Sequence, residues 1–156
     1  MSEYTLREIC DADLPDLLIL EEKTQKAPWS EEAFRRCRIA EYPGWVLEKD
    51  EKILGFVMIS LSVNECHLLN LCVDPAYQGK KLGQKLLVTA LKWAKQKGAY
   101  IVYLEVRRSN FKAIKLYLKM HFSEIGVRKN YYPKEDGGED ALVLARDISV
   151  DELEDI

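Results

Sequence analysis

Hydrophobic positions in the middle of the chain change from a nearly uninterrupted run to a helical spacing. The run at 68–73 is typical of a buried strand, and Asp74 and Pro75 end it. Apolar residues then recur three and four positions apart over 82–94, which predicts an amphipathic helix that ends at Gly98. This part of the chain therefore predicts a strand, a basic loop with two glycines, and a helix.

The same patterns predict further elements on both sides. Strands are expected where apolar residues alternate or run together between turn residues, at 5–9, 45–48, 53–61, 99–106, 126–133 and 140–145. Helices are expected after capping residues: one after Asp11 or Asp13, a short one after Ser30, and one after Asn110. A polar loop is expected at 134–139.

The lengths of the connections predict how the strands pair. The strands at 45–48, 53–61 and 68–73 are joined by turns too short for a crossover, so they should form an antiparallel meander. The strand at 99–106 follows a helix and should run parallel to the strand at 68–73. We therefore expect an α/β fold with a mixed, mostly antiparallel sheet.

Composition and charge limit the class of protein. A chain of 156 residues with 47% hydrophobic and 31% charged residues suits one soluble domain, expected at 1–148, with an acidic tail at 149–156. A net charge of −3 argues against general nucleic-acid binding. Since no apolar run approaches 18 residues and the N-terminus carries no basic-then-apolar leader, we expect a cytoplasmic protein without a membrane span.

Cysteine and histidine spacing does not favour a metal site. The four cysteines form no C-x-x-C pair, which predicts reduced and mostly buried thiols, and the two histidines are isolated. We therefore expect neither a metal nor a Ser-His or Cys-His mechanism.

The basic loop before the central helix is a candidate phosphate site. The first N–H groups of a helix lack partners and carry partial positive charge, so a loop that feeds a helix can hold phosphate. Gly79 and Gly83 allow a close approach of the backbone, while Lys80 and Lys81 add charge. The loop matches neither a P-loop nor the dinucleotide motif G-x-G-x-x-G.

Gln78-x-x-x-x-Gly83, directly after a strand and Asp-Pro, resembles the acetyl-coenzyme A loop of the GNAT N-acetyltransferases. The resemblance extends over nearly the whole chain, through Pro28-Trp29-Ser30, the segment Leu104-Glu105-Val106-Arg107-x-Ser109-Asn110 with Tyr117, and Arg128-x-Asn130-Tyr131-Tyr132. Within the family it is similar to the group that acetylates the N-terminal alanine of a ribosomal protein. The chain departs from the family at Lys81 and His121, where glycine is usual. A left-handed backbone at Lys81 would cost free energy.

The resemblance implies a GNAT fold with a splayed central pair of parallel strands, helices on both faces, and acetyl-CoA as cosubstrate without a metal. It implies an acceptor amine at the N-terminus of a small-subunit ribosomal protein. Cofactor contacts are implied for Leu71, Cys72, Val73, Gln78, Gly79, Lys80, Lys81, Leu82, Gly83, Gln84, Asn110 and Tyr117. Acceptor contacts are expected for Trp29, Tyr131 and Tyr132.

Two residues are candidates for proton transfer. By strand alternation Glu105 shares a face with Tyr103 and lies near the C-terminal end of its strand, where ligands gather in parallel sheets. A carboxylate there can accept the proton of an amine. The alternative is that Glu105 is an exposed surface residue without a role in catalysis. Tyr117 lies one to two turns into the following helix. Its spacing alone favours a core residue over an acid, whereas the family match favours the acid for the thiolate. Asn110 can act both as a helix cap and as a ligand contact.

Two other functions remain open from the sequence. The same fold acts on lysine side chains or small amines in other members of the family. A coenzyme A-binding module without turnover is a second alternative, which Lys81 keeps open and the presence of Glu105 and Tyr117 opposes. A covalent acetyl-enzyme at Cys72 is disfavoured because no base adjoins it in sequence.

Overall fold

A computed structural model describes residues 3–132 and 138–149 of the chain. In these ranges seven strands and four α-helices follow one another: β1 (Thr5–Glu8), α1 (Leu14–Thr24), α2 (Glu31–Ile39), β2 (Gly44–Lys49), β3 (Lys52–Ser62), β4 (Glu65–Val73), α3 (Leu82–Gln96), β5 (Ile101–Arg107), α4 (Phe111–Lys119), β6 (Ser123–Arg128) and β7 (Ala141–Asp147).

The strands form one sheet in the order β1-β2-β3-β4-β5-β7-β6. The predicted meander of β2, β3 and β4 is antiparallel, and the pair β4–β5 is parallel, so both predictions are confirmed. β4 and β5 pair only at Glu65–Ile101, Cys66–Val102 and His67–Tyr103. Beyond these positions the two strands separate, although each remains paired with its other neighbour. The splayed pair therefore opens a gap in the centre of the sheet.

A β-bulge at Leu69 changes the side of the sheet on which the following side chains of β4 lie. Met58 lies opposite Asn70 and Ile59 lies opposite Leu68, so Leu69 has no opposite residue on β3. Before the bulge Leu68 packs in the core under α3, whereas after it Cys72 packs in the core under α1. The bulge thus directs Asn70 and Cys72 towards α1.

Each face of the sheet carries a hydrophobic core, which confirms the expected helices on both faces. On one face Leu17, Leu20 and Phe34 of α1 and α2 pack with Phe56 and Met58. On the other face, the buried side chains of α3 and the inner side of α4 pack against β2 to β5 and β7. The splayed gap therefore lies between two helical layers.

Element boundaries differ from the sequence prediction by a few residues. β4 begins at Glu65 rather than 68, because the turn after β3 lies at Val63 and Asn64. β5 begins at Ile101 rather than 99, because the Ala99 amide still bonds α3 through the Ala94 carbonyl (3.0 Å). Of the polar loop expected at 134–139 only 138–139 are described, and the acidic tail lies outside the described residues beyond 149. None of the helices in the described ranges combines the length and apolar character that crossing a membrane requires.

Candidate active site

Two cavities meet where β4 and β5 separate. A gap cavity of about 340 Å³ is lined by β4 from Leu68 to Leu71, β5 from Leu104 to Arg107, the end of α1, and Trp29 and Tyr132. A loop groove of about 710 Å³ runs along the loop between β4 and α3 and is bounded by α4 on its other side. Both cavities are lined by Gln25, Leu71, Asn110, Ala113 and Tyr117, so these residues mark the junction.

The loop before α3 lines the loop groove and contains two residues with left-handed backbone. Gly79 (φ +83°) and Lys81 (φ +62°) have left-handed backbones, and α3 begins directly afterwards at Leu82. Lys81 therefore has the left-handed backbone for which a free-energy cost was expected. The position keeps the conformation of the glycine that is usual in the family. The helix opens with N–H groups that α3 itself does not satisfy. α4 packs close by, since a Cβ atom on Gly83 would lie 3.3 Å from Leu116 Cδ2.

The loop groove suits a ligand that carries negative charge and also has hydrogen-bond donors. Among the described residues, five lysines and no acidic residue line the groove, although the whole chain has a net charge of −3. Gln84 is 6% exposed, and its Oε1 has no hydrogen-bond partner among the described residues. A buried acceptor of this kind is destabilising unless a donor reaches it, and a ligand in the groove would supply one.

The structure brings most of the predicted cofactor residues to this groove. It is lined by Leu71, Cys72, Val73, Gln78, Gly79, Lys81, Leu82, Gly83, Gln84, Asn110 and Tyr117. Lys80 is the exception, because it is exposed and does not line the groove. Asn110 caps α4 as predicted, with its Oδ1 accepting from Ala113 N–H at 3.2 Å, and it still lines both cavities.

Glu105 lies at the wall of the gap cavity, as its place on the strand predicted. Its side chain is 24% exposed, and its Oε2 lies 3.6 Å from Arg128 Nε. The pKa of neighbouring Tyr131 is raised, first by partial burial and then by the charge of Glu105. Glu105 is thus a partly exposed carboxylate that solvent and a ligand in the cavity can both reach.

Tyr117 lies at the junction of the two cavities and is only 7% exposed. Its ring packs against Phe122 at 5.8 Å between centroids. Burial raises the pKa of the phenol well above its usual value, with smaller contributions from Cys72 and Tyr132. The phenol is therefore a hydrogen-bond donor over the whole physiological pH range.

Glu21 is a component of the site that the sequence analysis did not identify. Its carboxylate is 1% exposed and lines the gap cavity, where Oε2 accepts from Trp29 N–H (2.9 Å) and Oε1 accepts from Asn70 Nδ2 (2.8 Å). Through these two hydrogen bonds Glu21 links the loop after α1 to the part of β4 that follows the bulge. The one signal in the sequence is an acidic residue on the apolar side of a helix, beside Leu17 and Leu20.

Cys72 lies in the same buried network. Its Sγ lies 3.3 Å from Glu21 Oε1 and accepts from Gln25 Nε2 at 3.1 Å. Burial, with Glu21 as the next cause, raises the pKa of the thiol to about 12. The thiolate that a covalent acetyl-enzyme requires is therefore disfavoured, in line with the sequence analysis.

The aromatic residues predicted to contact the acceptor have different positions. Trp29 and Tyr132 line the gap cavity, and the Arg107 guanidinium lies 4.1 Å from the centroid of the Tyr132 ring. Tyr131 is 47% exposed and does not line the cavity, but packs against Tyr132 at 5.2 Å between centroids.

Glu139 contacts Arg107, a residue that lines the gap cavity. Its carboxylate accepts from Ser109 N–H (3.0 Å) and pairs with Arg107 and Lys26 at 3.4 Å each. These contacts, led by that with Ser109, lower the pKa of Glu139 to about 2. The carboxylate thus joins the chain after β5, the loop after α1, and the segment before β7. In the described part of the chain no three acidic, histidine or cysteine side chains are grouped to hold a metal ion.

The structure combines three features: a splayed parallel strand pair, a loop that leads into the start of a helix, and a tyrosine where the two cavities meet. The profile of the acetyltransferase (GNAT) family matches residues 6–122, so the chain belongs to this family, as the resemblance predicted, and is an acyltransferase by class. The [ribosomal protein bS18]-alanine N-acetyltransferase of Escherichia coli K12 is 36% identical over 94% of this chain and 99% of its own length. The putative enzyme of the same description from Bacillus subtilis is 34% identical over 85% of this chain and 87% of its own length.

Solved structures give the same result for the fold. The crystal structure of the ribosomal-protein-S18-alanine N-acetyltransferase from Escherichia coli superposes with a TM-score of 0.88 at 35% identity, covering 96% of this chain and 97% of the other. Arabidopsis thaliana NAA60 in complex with acetyl-CoA superposes with a TM-score of 0.84 at 18% identity, covering 94% of this chain and 99% of the other. The predicted fold class is confirmed.

Proposed function

We propose that this chain transfers the acetyl group of acetyl-CoA to the N-terminal amine of a ribosomal protein, with alanine as the acetylated residue. In this proposal the loop groove binds the cosubstrate and the gap cavity binds the acceptor. The observation that carries the proposal is that the two cavities meet at Tyr117, with Glu105 on the wall of the gap cavity. A thioester entering from one side and an amine entering from the other would meet there.

The residues of the loop groove fit coenzyme A. The open amides at the start of α3 and the lysines around them suit its pyrophosphate. The unpaired Oε1 of Gln84 suits a hydrogen-bond donor of the ligand. The unpaired edge of β4 at 71–73 suits the amides of the pantetheine arm, because N–H and C=O groups there have no partner on β5.

The reaction can be assigned to two side chains of this chain. The neutral amine attacks the thioester carbonyl carbon, a C–N bond forms, and the C–S bond breaks as the tetrahedral intermediate collapses. Glu105 accepts the proton that the amine nitrogen loses, directly or through a water molecule. Tyr117 donates its phenolic proton to the departing sulfur, and solvent restores it. The products are the acetylated amine and the free thiol.

Burial makes Tyr117 a usable acid despite its raised pKa. The same low-polarity surroundings that raise the pKa of the phenol also destabilise a thiolate, as the pKa of about 12 for the nearby Cys72 illustrates. The leaving sulfur would therefore become basic enough to take the proton as the C–S bond breaks. A phenol with an ordinary pKa would be partly ionised at alkaline pH and would lose this role.

The acceptor in this proposal comes from the relatives. The relatives from Escherichia coli and Bacillus subtilis are described as acting on the alanine of ribosomal protein bS18, and the chain matches almost the full length of both. The gap cavity, bounded by Trp29, Tyr132 and the network around Glu21, suits a narrow chain end better than a folded surface.

Acceptor class is tested with two peptides, each of which offers only one kind of amine. One begins with alanine and has a free N-terminus, whereas the other is blocked at its N-terminus and contains a lysine. Thiol release with the first peptide alone is the expected result. Transfer to the lysine peptide alone would indicate a lysine acetyltransferase, and CoA binding without transfer to either peptide would indicate a regulatory module.

The roles of the two side chains are tested by conservative substitutions. Glu105→Gln should lower kcat by about 10²–10⁴ at unchanged CoA affinity, and Tyr117→Phe should slow transfer in a similar way. Arg36→Gln, on the exposed side of α2, is the matched control and should leave kcat unchanged, since Arg36 pairs with Glu32 at the surface and lines neither cavity. Turnover of Glu105→Gln close to that of the original protein would remove Glu105 as the base.

A further inference from the structure

The lysines of the loop groove extend over a greater length than one pyrophosphate requires. Lys112, Lys115 and Lys119 occur three and four positions apart on α4, so they lie along one side of that helix and all line the groove. The row from 112 to 119 spans about 10 Å at the helical rise of 1.5 Å per residue. The two phosphorus atoms of a pyrophosphate share one bridging oxygen, so its charge covers a much shorter distance.

Two of the groove lysines already contact other side chains. The remaining lysines of α4 could therefore bind an anion other than the pyrophosphate. Lys23 Nζ lies 3.5 Å from Asp74 Oδ2, and Lys112 Nζ donates to Gln78 Oε1 at 3.3 Å. Lys81 belongs to the loop that meets the start of α3. Lys115 and Lys119 remain on the exposed second and third turns of α4, and the part of the chain that the structure describes places no acidic residue on the groove beside them.

A row of like charges in one groove is unfavourable until an anion occupies it. Lysines at i and i+4 repel each other on a helix surface, and Lys115 and Lys119 stand in this relation. A phosphate between them would turn this repulsion into two attractive contacts, because lysine binds phosphate as a point charge.

We infer that Lys115 and Lys119 bind a phosphate monoester separate from the pyrophosphate, namely the 3′-phosphate on the ribose of coenzyme A. This inference rests on the proposed function, and it adds that the chain distinguishes coenzyme A from its 3′-dephospho form. Lys81 and the amides at the start of α3 hold the pyrophosphate at one end of the groove, and the α4 pair holds the monoester on the facing wall.

The test is the affinity ratio between coenzyme A and 3′-dephospho-coenzyme A, measured by titration calorimetry. The original protein should bind coenzyme A about 10- to 100-fold more tightly, the scale of one or two charge-assisted contacts. The double variant Lys115→Gln/Lys119→Gln should bring the ratio close to one by weakening coenzyme A alone. Raising the salt concentration should also reduce the ratio in the original protein, because the contacts lie at the surface.

The matched control removes the same charge elsewhere. Lys95→Gln/Lys97→Gln changes one lysine in the last turn of α3 and one directly after the helix, both outside the groove, and should keep the original ratio. A ratio of one in the original protein, an unchanged ratio in the α4 variant, or an equal loss in the control would each overturn the inference.

The same experiment separates this inference from the proposed function. Equal binding of the two ligands together with normal acetyl transfer from acetyl-CoA would refute only the 3′-phosphate site. Absence of binding by both ligands, together with absence of transfer, would refute the proposed function itself.

Discussion

Two side chains that depart from the family pattern occupy backbone that favours glycine. Lys81 (φ +62°) and His121 (φ +69°) both lie in the left-handed region, at the positions where the sequence analysis noted a missing glycine. The conformation is therefore kept while the residue differs. For an L-residue this backbone costs about 1–2 kcal/mol, whereas glycine instead loses about 0.5–1 kcal/mol of chain entropy on folding.

Lys81→Gly should accordingly stabilise the free protein. The difference between the two costs is about 0.5–1 kcal/mol, which corresponds to about 1–4 °C in Tm for a chain of this size. Thermal unfolding without ligand measures the change. His121→Gly, which relieves the same strain away from the loop groove, should raise Tm by a similar amount.

Gly79→Ala supplies the reverse comparison for the same loop. Gly79 has φ +83°, and a Cβ atom there would meet nothing within 4 Å, so any loss of stability reports backbone strain alone. A lower Tm for Gly79→Ala is expected. A lower Tm for Lys81→Gly, with a higher Tm for His121→Gly, would show that the Lys81 side chain itself stabilises the loop.

At the residue scale the sequence predicted positions that depend on local periodicity and missed those that depend on distant partners. Glu105 was placed by alternation along one strand, and Asn110 by its cap. Glu21 was missed because its partner Asn70 is 49 residues away and is turned towards it by a bulge on β4. The sequence of 68–73 contains no glycine or proline that would have indicated this bulge.

Two helices begin at a side-chain cap, and one of the two capping residues also lines the loop groove. Ser30 accepts from Ala33 N–H at 3.1 Å at the start of α2, and Asn110 accepts from Ala113 N–H at 3.2 Å at the start of α4. The two caps are alike in geometry, but only Asn110 lines the cavities. They therefore separate the cost of losing a cap from the cost of losing a ligand contact.

Asn110→Ala and Ser30→Ala should each lower the free energy of unfolding by about 1 kcal/mol, the usual value for a lost cap. Only Asn110→Ala should also weaken coenzyme A binding. Denaturant unfolding and calorimetry give the two quantities. Asn110→Ser keeps a capping oxygen, so it should recover most of the stability while the affinity stays low. Full recovery of affinity in Asn110→Ser would mean that Asn110 acts on the ligand only by holding α4.

At the element scale the sequence predicted which segments are strands and helices better than where they end. The strand at 99–106 was predicted two residues too early because Ala99 remains bonded to α3. The last strand was predicted to end at 145, whereas β7 continues to Asp147 because Ile101 and Val102 of β5 pair with that end. Pairing partners distant in sequence set these limits, and local pattern does not contain them.

For the whole molecule the decisive feature is an interrupted sheet. Apart from the bulge at Leu69, β4 is paired with β3 from Glu65 to Val73, but beyond His67 its other edge has no partner on β5. The parallel direction of this pair followed from the helical connection, whereas the separation of the strands came only from the resemblance to the family. Residues 68–73 should therefore carry exchangeable amides in the free protein, since strand edges without partners are open to solvent.

Hydrogen exchange measured by mass spectrometry should detect this open edge and its closure. In the free protein, peptides covering 68–74 should exchange part of their amides quickly, whereas peptides within 53–59 of β3, which is paired on both sides, should exchange slowly. Saturating coenzyme A should slow exchange in 68–74 and 78–84, because the ligand would pair with β4 and with the first amides of α3. The β3 peptides are the internal control and should not change. If coenzyme A binds by calorimetry but leaves 68–74 unaffected, the cosubstrate does not enter the gap between the strands, and the site assigned to acetyl transfer must lie elsewhere on the fold.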